Sequence, residues 1–176
     1  MDTALVLFLI LLNGLFAMSE MALTAARKAR LQVMVESGES GAQAAMDLHE
    51  NPTKFLSTVQ IGITSIGVLN GIVGDAAFSG PLSQWLTATF GLHANSAELT
   101  ATALVVMILT VLTIVFGELV PKRIGQIFPE TVARLVAPPM DLLSLAARPL
   151  VKFLTFATEA TLGLIGLRGR ALRGVT

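Results

Sequence analysis

Three stretches of this chain stay apolar long enough to cross a bilayer, which takes about 20 residues. They cover about 3–26, 55–78 and 97–119. Met1-Asp2-Thr3 offers no basic segment ahead of the first, and the run is too long for a signal-peptide core, so it reads as a first transmembrane helix. From Pro129 onward the pattern is apolar but interrupted, with Pro138-Pro139, Arg148-Pro149 and Lys152 dividing it into pieces too short to span. The expectation there is a set of amphipathic helices over about 130–157 along the membrane interface. A kinked fourth span over 132–156 is the alternative, and it would carry Arg168, Arg170 and Arg173 across the membrane. Between the first two spans, Gly38, Gly41 and Pro52 bracket short helical pieces such as 42–49. The pattern defines an all-α membrane protein with three transmembrane helices, short cytosolic helices and a juxtamembrane helical belt.

Charge orients the spans. Arg27, Lys28 and Arg30 follow the first, Lys54 opens the second, Lys122 and Arg123 follow the third, and 78–98 holds no Lys or Arg. By the positive-inside rule the N-terminus lies outside, 30–54 and the C-terminus are cytosolic, and the loop carrying Trp85 is outside. Composition agrees: 53% of residues are hydrophobic, mean hydropathy is +0.74, and the charged share of 14% falls well below the roughly 25% of soluble domains. A formal net charge of zero gives no footing for nucleic acid. With no cysteine, no tyrosine and only His49 and His93, thiolate and zinc sites have no material. A bound metal would need oxygen ligands, as magnesium, calcium and sodium do.

The informative residues are polar ones at membrane depth, where they are expensive. In the first span Asn13, Ala17 and Glu20 share one helix face, while Ser19 points about 100° from Glu20. In the second, Gln60, Thr64, Gly67 and Gly71 lie in one sector with Asn70 at its edge. Gly67 and Gly71 form a small-residue packing pattern. Ser65 points nearly opposite and could join Thr64 only if the glycines let the helix unwind. The third span, ILTVLTIVFGELVPKRIG, is apolar until Gly117-Glu118. Pro121 has no N–H, and its ring opposes the Gly117 carbonyl four residues back, which frees that oxygen beside the Glu118 carboxylate. Glu118 could instead pair with Lys122 at i+4. Taken together, the residues suggest a hard-cation site open toward the cytosol, without choosing the ion.

The blocks LLNGLFAMSEMALTAARKARL, NPTKFLSTVQIGIT and FGELVPKRIG, in this order and spacing, resemble the transmembrane domain of the CorC/CNNM (cyclin M) magnesium transporters. The resemblance implies a homodimer in the plasma (inner) membrane, with magnesium held between the helices and exported at the expense of sodium. It implies metal ligation by Asn13, Ser19 and Glu20 in the first block, Gln60 and Thr64 around Gly62 in the second, and the Gly117 carbonyl and Glu118 in the third. Many relatives have asparagine where this sequence has Ile63, so Ser65 or Asn70 is a substitute ligand. Full-length members carry cytosolic CBS domains that bind ATP. The present sequence stops short of them, which makes 1–157 a membrane domain and 158–176 a basic tail leading toward those domains.

The leading expectation is therefore sodium-coupled magnesium export. A magnesium-sensing anchor and dimerisation module for cytosolic regulatory domains is the alternative. A passive channel ranks below both, because only Thr102, Thr110 and Thr113 are polar between Ala101 and Phe116. No nucleophilic or hydrolytic constellation appears, and an enzyme is not expected.

Overall fold

The computed structural model describes residues 2–166. Met1 and 167–176, with Arg168, Arg170 and Arg173 of the expected basic tail, lie outside the described residues. The helices are α1 (Asp2–Ala25), α2 (Lys28–Glu36), α3 (Ala42–Glu50), α4 (Pro52–Gly74), α5 (Gly80–Phe90), α6 (Ala94–Ile114), α7 (Val120–Ile127) and α8 (Pro129–Leu164). Two π-turns, Asp75–Ser79 and Val115–Leu119, join α4 to α5 and α6 to α7 without a break. Among the described residues three helices are long and apolar enough to cross a membrane: Asp2–Ala25, Pro52–Phe90 and Ala94–Ile127.

Three expectations are corrected. The stretch 78–98 is not an extended loop. It is mostly helix, turning only at 91–93, where Gly91 takes the left-handed conformation (φ +64°) that ends α5. Trp85 sits on α5 and meets Phe90 edge-on, with ring centroids 5.8 Å apart. Pro121 does not end the third helix, because the π-turn changes the hydrogen-bond register just ahead of it. The Val120 N–H reaches back five residues to the Val115 carbonyl, and the helix runs on to Ile127. Finally, 130–157 is not divided into pieces: α8 is one helix of 36 residues with Pro138, Pro139 and Pro149 inside it. The packing of its neighbours explains part of this tolerance. The Arg134 carbonyl, opposed by the Pro138 ring, is covered by Gly41, whose φ of +79° and lack of a side chain allow the contact.

The largest core lies at the end of the molecule carrying Arg27 to Lys54. There Leu23 of α1, Leu31 of α2, Ala45 of α3, Phe55 and Val59 of α4, and Ala133 and Ala137 of α8 pack together. Polar ties hold the same junction. Buried Glu130 accepts a hydrogen bond from the Arg27 N–H (3.2 Å) and pairs with Arg30 (3.9 Å), and His49 Nδ1 lies 2.9 Å from the Leu23 carbonyl oxygen. A smaller cluster of Val6, Ile10, Val105 and Leu109 joins α1 to α6 at the opposite end.

Glycines set the closest approach. On the seam of α1 against the Val115–Leu119 turn and α7, a Cβ at Gly14 would stand 2.9 Å from Pro121 Cγ. One at Gly125 would stand 2.8 Å from the Met18 carbonyl oxygen. Nothing lies within 4 Å of the equivalent position at Gly67 or Gly71, so the Gly67-x-x-x-Gly71 pattern packs no helix within the described chain. Gly125→Ala should thus lower unfolding free energy by about 1–3 kcal/mol, because its new methyl meets backbone rather than a movable side chain. Gly67→Ala should be neutral or gain up to about 1 kcal/mol from helix propensity. Thermal unfolding of the two variants in detergent checks the contrast, and equal losses would contradict it.

Candidate cation site

Pro121 is buried against α1, and the carbonyl it leaves unpaired in the helix ladder, that of Gly117, does not stay free. Asn13 Nδ2 donates to it at 2.8 Å, across 104 residues of sequence and away from water. Two groups expected as separate ligands thus satisfy each other and brace α1 against the third span. Gly117 must be glycine for this, since a Cβ there would stand 2.9 Å from Asn13 Nδ2.

The same π-turn decides where Glu118 goes. No ion pair forms between Glu118 and Lys122, because a widened turn takes the two residues out of the i+4 register that would pair them. Instead Glu118 lines a groove of ≈ 350 Å³ between α4 and α6 with Asn70, Thr110, Thr113, Gly67 and Gly71. Asn70 is 4% exposed. Its Nδ2 donates to Thr113 Oγ1 at 3.3 Å, and its Oδ1 is buried with no hydrogen-bond partner. An orphaned amide oxygen inside a protein costs about 1–3 kcal/mol, and this one lies in a groove shared with a carboxylate and two hydroxyls, where a donor or a cation would satisfy it. Among the described residues no group of three or more His, Cys, Asp or Glu side chains comes together. The groove therefore offers one charge and several neutral oxygens, the kind of set that leaves a magnesium ion much of its water.

The other expected residues fall in different places. Gln60 and Thr64 are exposed on the α4 face that leads, one and two turns on, to Gly67 and Gly71, and Gln60 Nε2 donates to Thr64 Oγ1 at 3.2 Å. Ser65 is exposed, and α4 is not unwound around it. The irregularity that glycines were expected to give α4 appears later, as the Asp75–Ser79 turn. Ser19 is fully buried toward α8, beside an apolar cavity, and its Oγ donates back to the Leu15 carbonyl at 2.7 Å. Glu20 is half-buried near the end of α1, and its carboxylate forms no ion pair among the described residues. Neither is brought to the α4–α6 groove.

Sequence reasoning passed over Thr113, Thr110 and Asp75. The threonines were visible as polar residues at i and i+3 on an apolar helix, but their direction depends on the α4–α6 packing. Asp75 accepts hydrogen bonds from Ser79 Oγ (2.6 Å) and Thr102 Oγ1 (3.4 Å), tying the first π-turn to α6 beyond the groove. Thus Thr102, Thr110 and Thr113 of the third span face a polar partner or the groove, a relation the linear pattern does not reveal.

Three helices long and apolar enough to span a bilayer, with a groove between two of them that holds a buried, unpaired amide oxygen, define a polytopic helical membrane protein. The chain belongs to the CNNM family, matching the cyclin M transmembrane N-terminal domain over residues 4–175. It is 42% identical over 168 residues to a UPF0053 protein of Synechocystis sp., covering 96% of this chain and 37% of that protein. It is 39% identical over 148 residues to the polyamine export protein of Escherichia coli strain K12, covering 84% and 33%. An uncharacterized protein of Mycobacterium tuberculosis strain H37Rv is 34% identical over 164 residues, covering 93% and 46%. The chain thus spans between a third and a half of these relatives.

The unpaired Asn70 oxygen leads to a stability test. Asn70→Leu should change unfolding free energy in cation-free buffer by less than about 1 kcal/mol, since the lost Thr113 bond is offset by relief of the orphaned oxygen. A divalent cation that raises the melting temperature of the parent protein should fail to raise that of the variant. A variant that keeps the full cation-dependent shift would contradict this assignment.

Proposed function

We propose that this chain is the membrane part of a cation exporter that moves magnesium out of the cytosol in exchange for sodium, through the groove between α4 and α6. The observation that carries the reading is the buried, unpartnered Asn70 Oδ1 in a groove shared with Glu118, Thr110 and Thr113. Glu118 supplies the charge and lies at the membrane end where Lys122 and Arg123 put the cytosol. Asn70 and Thr113 replace part of the hydration shell deeper in, and Gln60 and Thr64 extend the polar face of α4 toward the mouth. Asn13 and the Gly117 carbonyl hold the third span in place. The protein works as a homodimer in the plasma (inner) membrane with its N-terminus outside.

A second reading has its own support. Relatives 39% identical to this chain are named polyamine export proteins. The groove alternates polar groups with Val106, Leu109 and Ile114, which suits an alkyl ammonium ion as cargo.

Reconstitution of the chain in liposomes separates the readings. Magnesium flux that accelerates under an opposing sodium gradient, and that falls about tenfold or more in Glu118→Gln, equivalent to about 1.4 kcal/mol, is the expected result. Spermidine movement without magnesium movement would replace the first cargo with the second. Magnesium-dependent stabilisation without flux of either would leave a sensing module.

A further inference from the structure

A separate cavity, of ≈ 340 Å³, opens where the first turns of α4 meet the middle of α8, at the membrane end rich in basic residues. Its walls carry Lys54 and Ser57 from α4 and Ser144, Arg148 and Lys152 from α8. The α8 residues recur at intervals of four, so they form one stripe facing α4. Lys54, Arg148 and Lys152 form no ion pair among the described residues, and no carboxylate lines the cavity. Asp47, Glu50 and Asp141 line a neighbouring cavity that shares Thr53 and Lys54 with this one, and Glu50 is paired with Lys28 at 3.3 Å.

Two further observations point to a ligand. Ser144, one of the residues lining the cavity, is fully buried, and its Oγ has no hydrogen-bond partner. The N-terminus of α4 has no side-chain cap, because Asn51 Nδ2 is turned back to the Asp47 carbonyl at 3.1 Å. The first N–H groups of a helix are left without intrahelical partners and favour an anion. Three unpaired cations, serine hydroxyls and an uncapped helix start complement a tetrahedral oxyanion, with Arg148 suited to bidentate contact.

We propose that this cavity binds a phosphate group, that of an anionic phospholipid or of a soluble phosphate. The phospholipid is favoured by position. Leu150, Phe153 and Phe156 of α8 are exposed beside the basic stripe, where acyl chains would lie if a headgroup occupied the cavity. Occupation would tie α8 to the start of the helix whose later turns carry Asn70, whatever ion that groove handles.

The test is lipid binding by the full chain in neutral detergent, counted by native mass spectrometry and followed by thermal unfolding. The probes are phosphatidylglycerol, phosphatidylcholine and inorganic phosphate. Phosphatidylglycerol should bind and raise the melting temperature while phosphatidylcholine does not. The paired change Arg148→Gln and Lys152→Gln should weaken binding about thirtyfold, from the usual worth of a basic residue near an anionic surface. Ser144→Ala should weaken it without altering charge, and keeps the test valid if the double variant does not fold. Arg123→Gln, an exposed charge on α7, should leave binding unchanged. Inorganic phosphate that stabilises the protein alone and displaces the lipid would identify the soluble source, and failure to do either the lipid. Equal binding of the two lipids with no effect of phosphate would overturn the proposal. So would an Arg123→Gln loss as large as that of the double variant.

Discussion

The hydrogen bond from Asn13 Nδ2 to the Gly117 carbonyl is the constraint on which the rest of this arrangement turns. Pro121 cannot donate to that carbonyl, and in a bilayer an unsatisfied backbone oxygen costs several kcal/mol because no water replaces the lost partner. The chain meets the demand from another helix, which commits α1 to a fixed height against the third span. Gly14, Gly117 and Gly125 then permit the approach, and the Val115–Leu119 turn absorbs the change of register that the proline imposes. What reads in one dimension as a helix breaker acts in three as a rivet between two spans.

The position of Glu118 follows from the same turn. In an unbroken α-helix it would face Lys122 one turn on, and the pair would be an ordinary surface ion pair of a few tenths of a kcal/mol. The widened turn releases it to the groove shared with Asn70 and Thr113. The other long span repeats the device: a π-turn at Asp75–Ser79 is followed two residues later by Pro81, and its acid, Asp75, is held by Ser79 and Thr102. Each of these spans therefore carries a carboxylate within a π-turn ahead of a proline. Such turns recur at functional sites because they re-aim side chains without ending a helix.

The three spans and their polar residues were legible in the sequence, since hydropathy over about 20 residues is a strong signal and a buried Glu or Asn is conspicuous. Glu118 stood out for that reason, whereas Asn70 figured only at the edge of the polar sector of the second span, as a substitute ligand. The continuity of the helices was not legible. Proline in a sequence argues for a break, and only the π-turns, with the cover Gly41 gives to the Arg134 carbonyl, show why α7 and α8 continue. Nor could one-dimensional spacing separate Asn13, which braces, from Asn70, which is left unpaired, because both are amides at membrane depth. That distinction depends on which helix lies opposite. Ser19 illustrates the same limit: next to Glu20 in sequence, it is buried toward α8 and satisfied by its own backbone.

The most direct measurement is a double-mutant cycle on unfolding free energy in detergent, with Asn13→Ala and Pro121→Ala alone and together. If Asn13 serves the carbonyl that Pro121 orphans, Asn13→Ala alone should cost about 1–3 kcal/mol. With alanine at 121 supplying a backbone N–H, that cost should shrink by at least about 1 kcal/mol. Additivity within about 0.5 kcal/mol would contradict the account, because it would mean that the amide and the proline act independently.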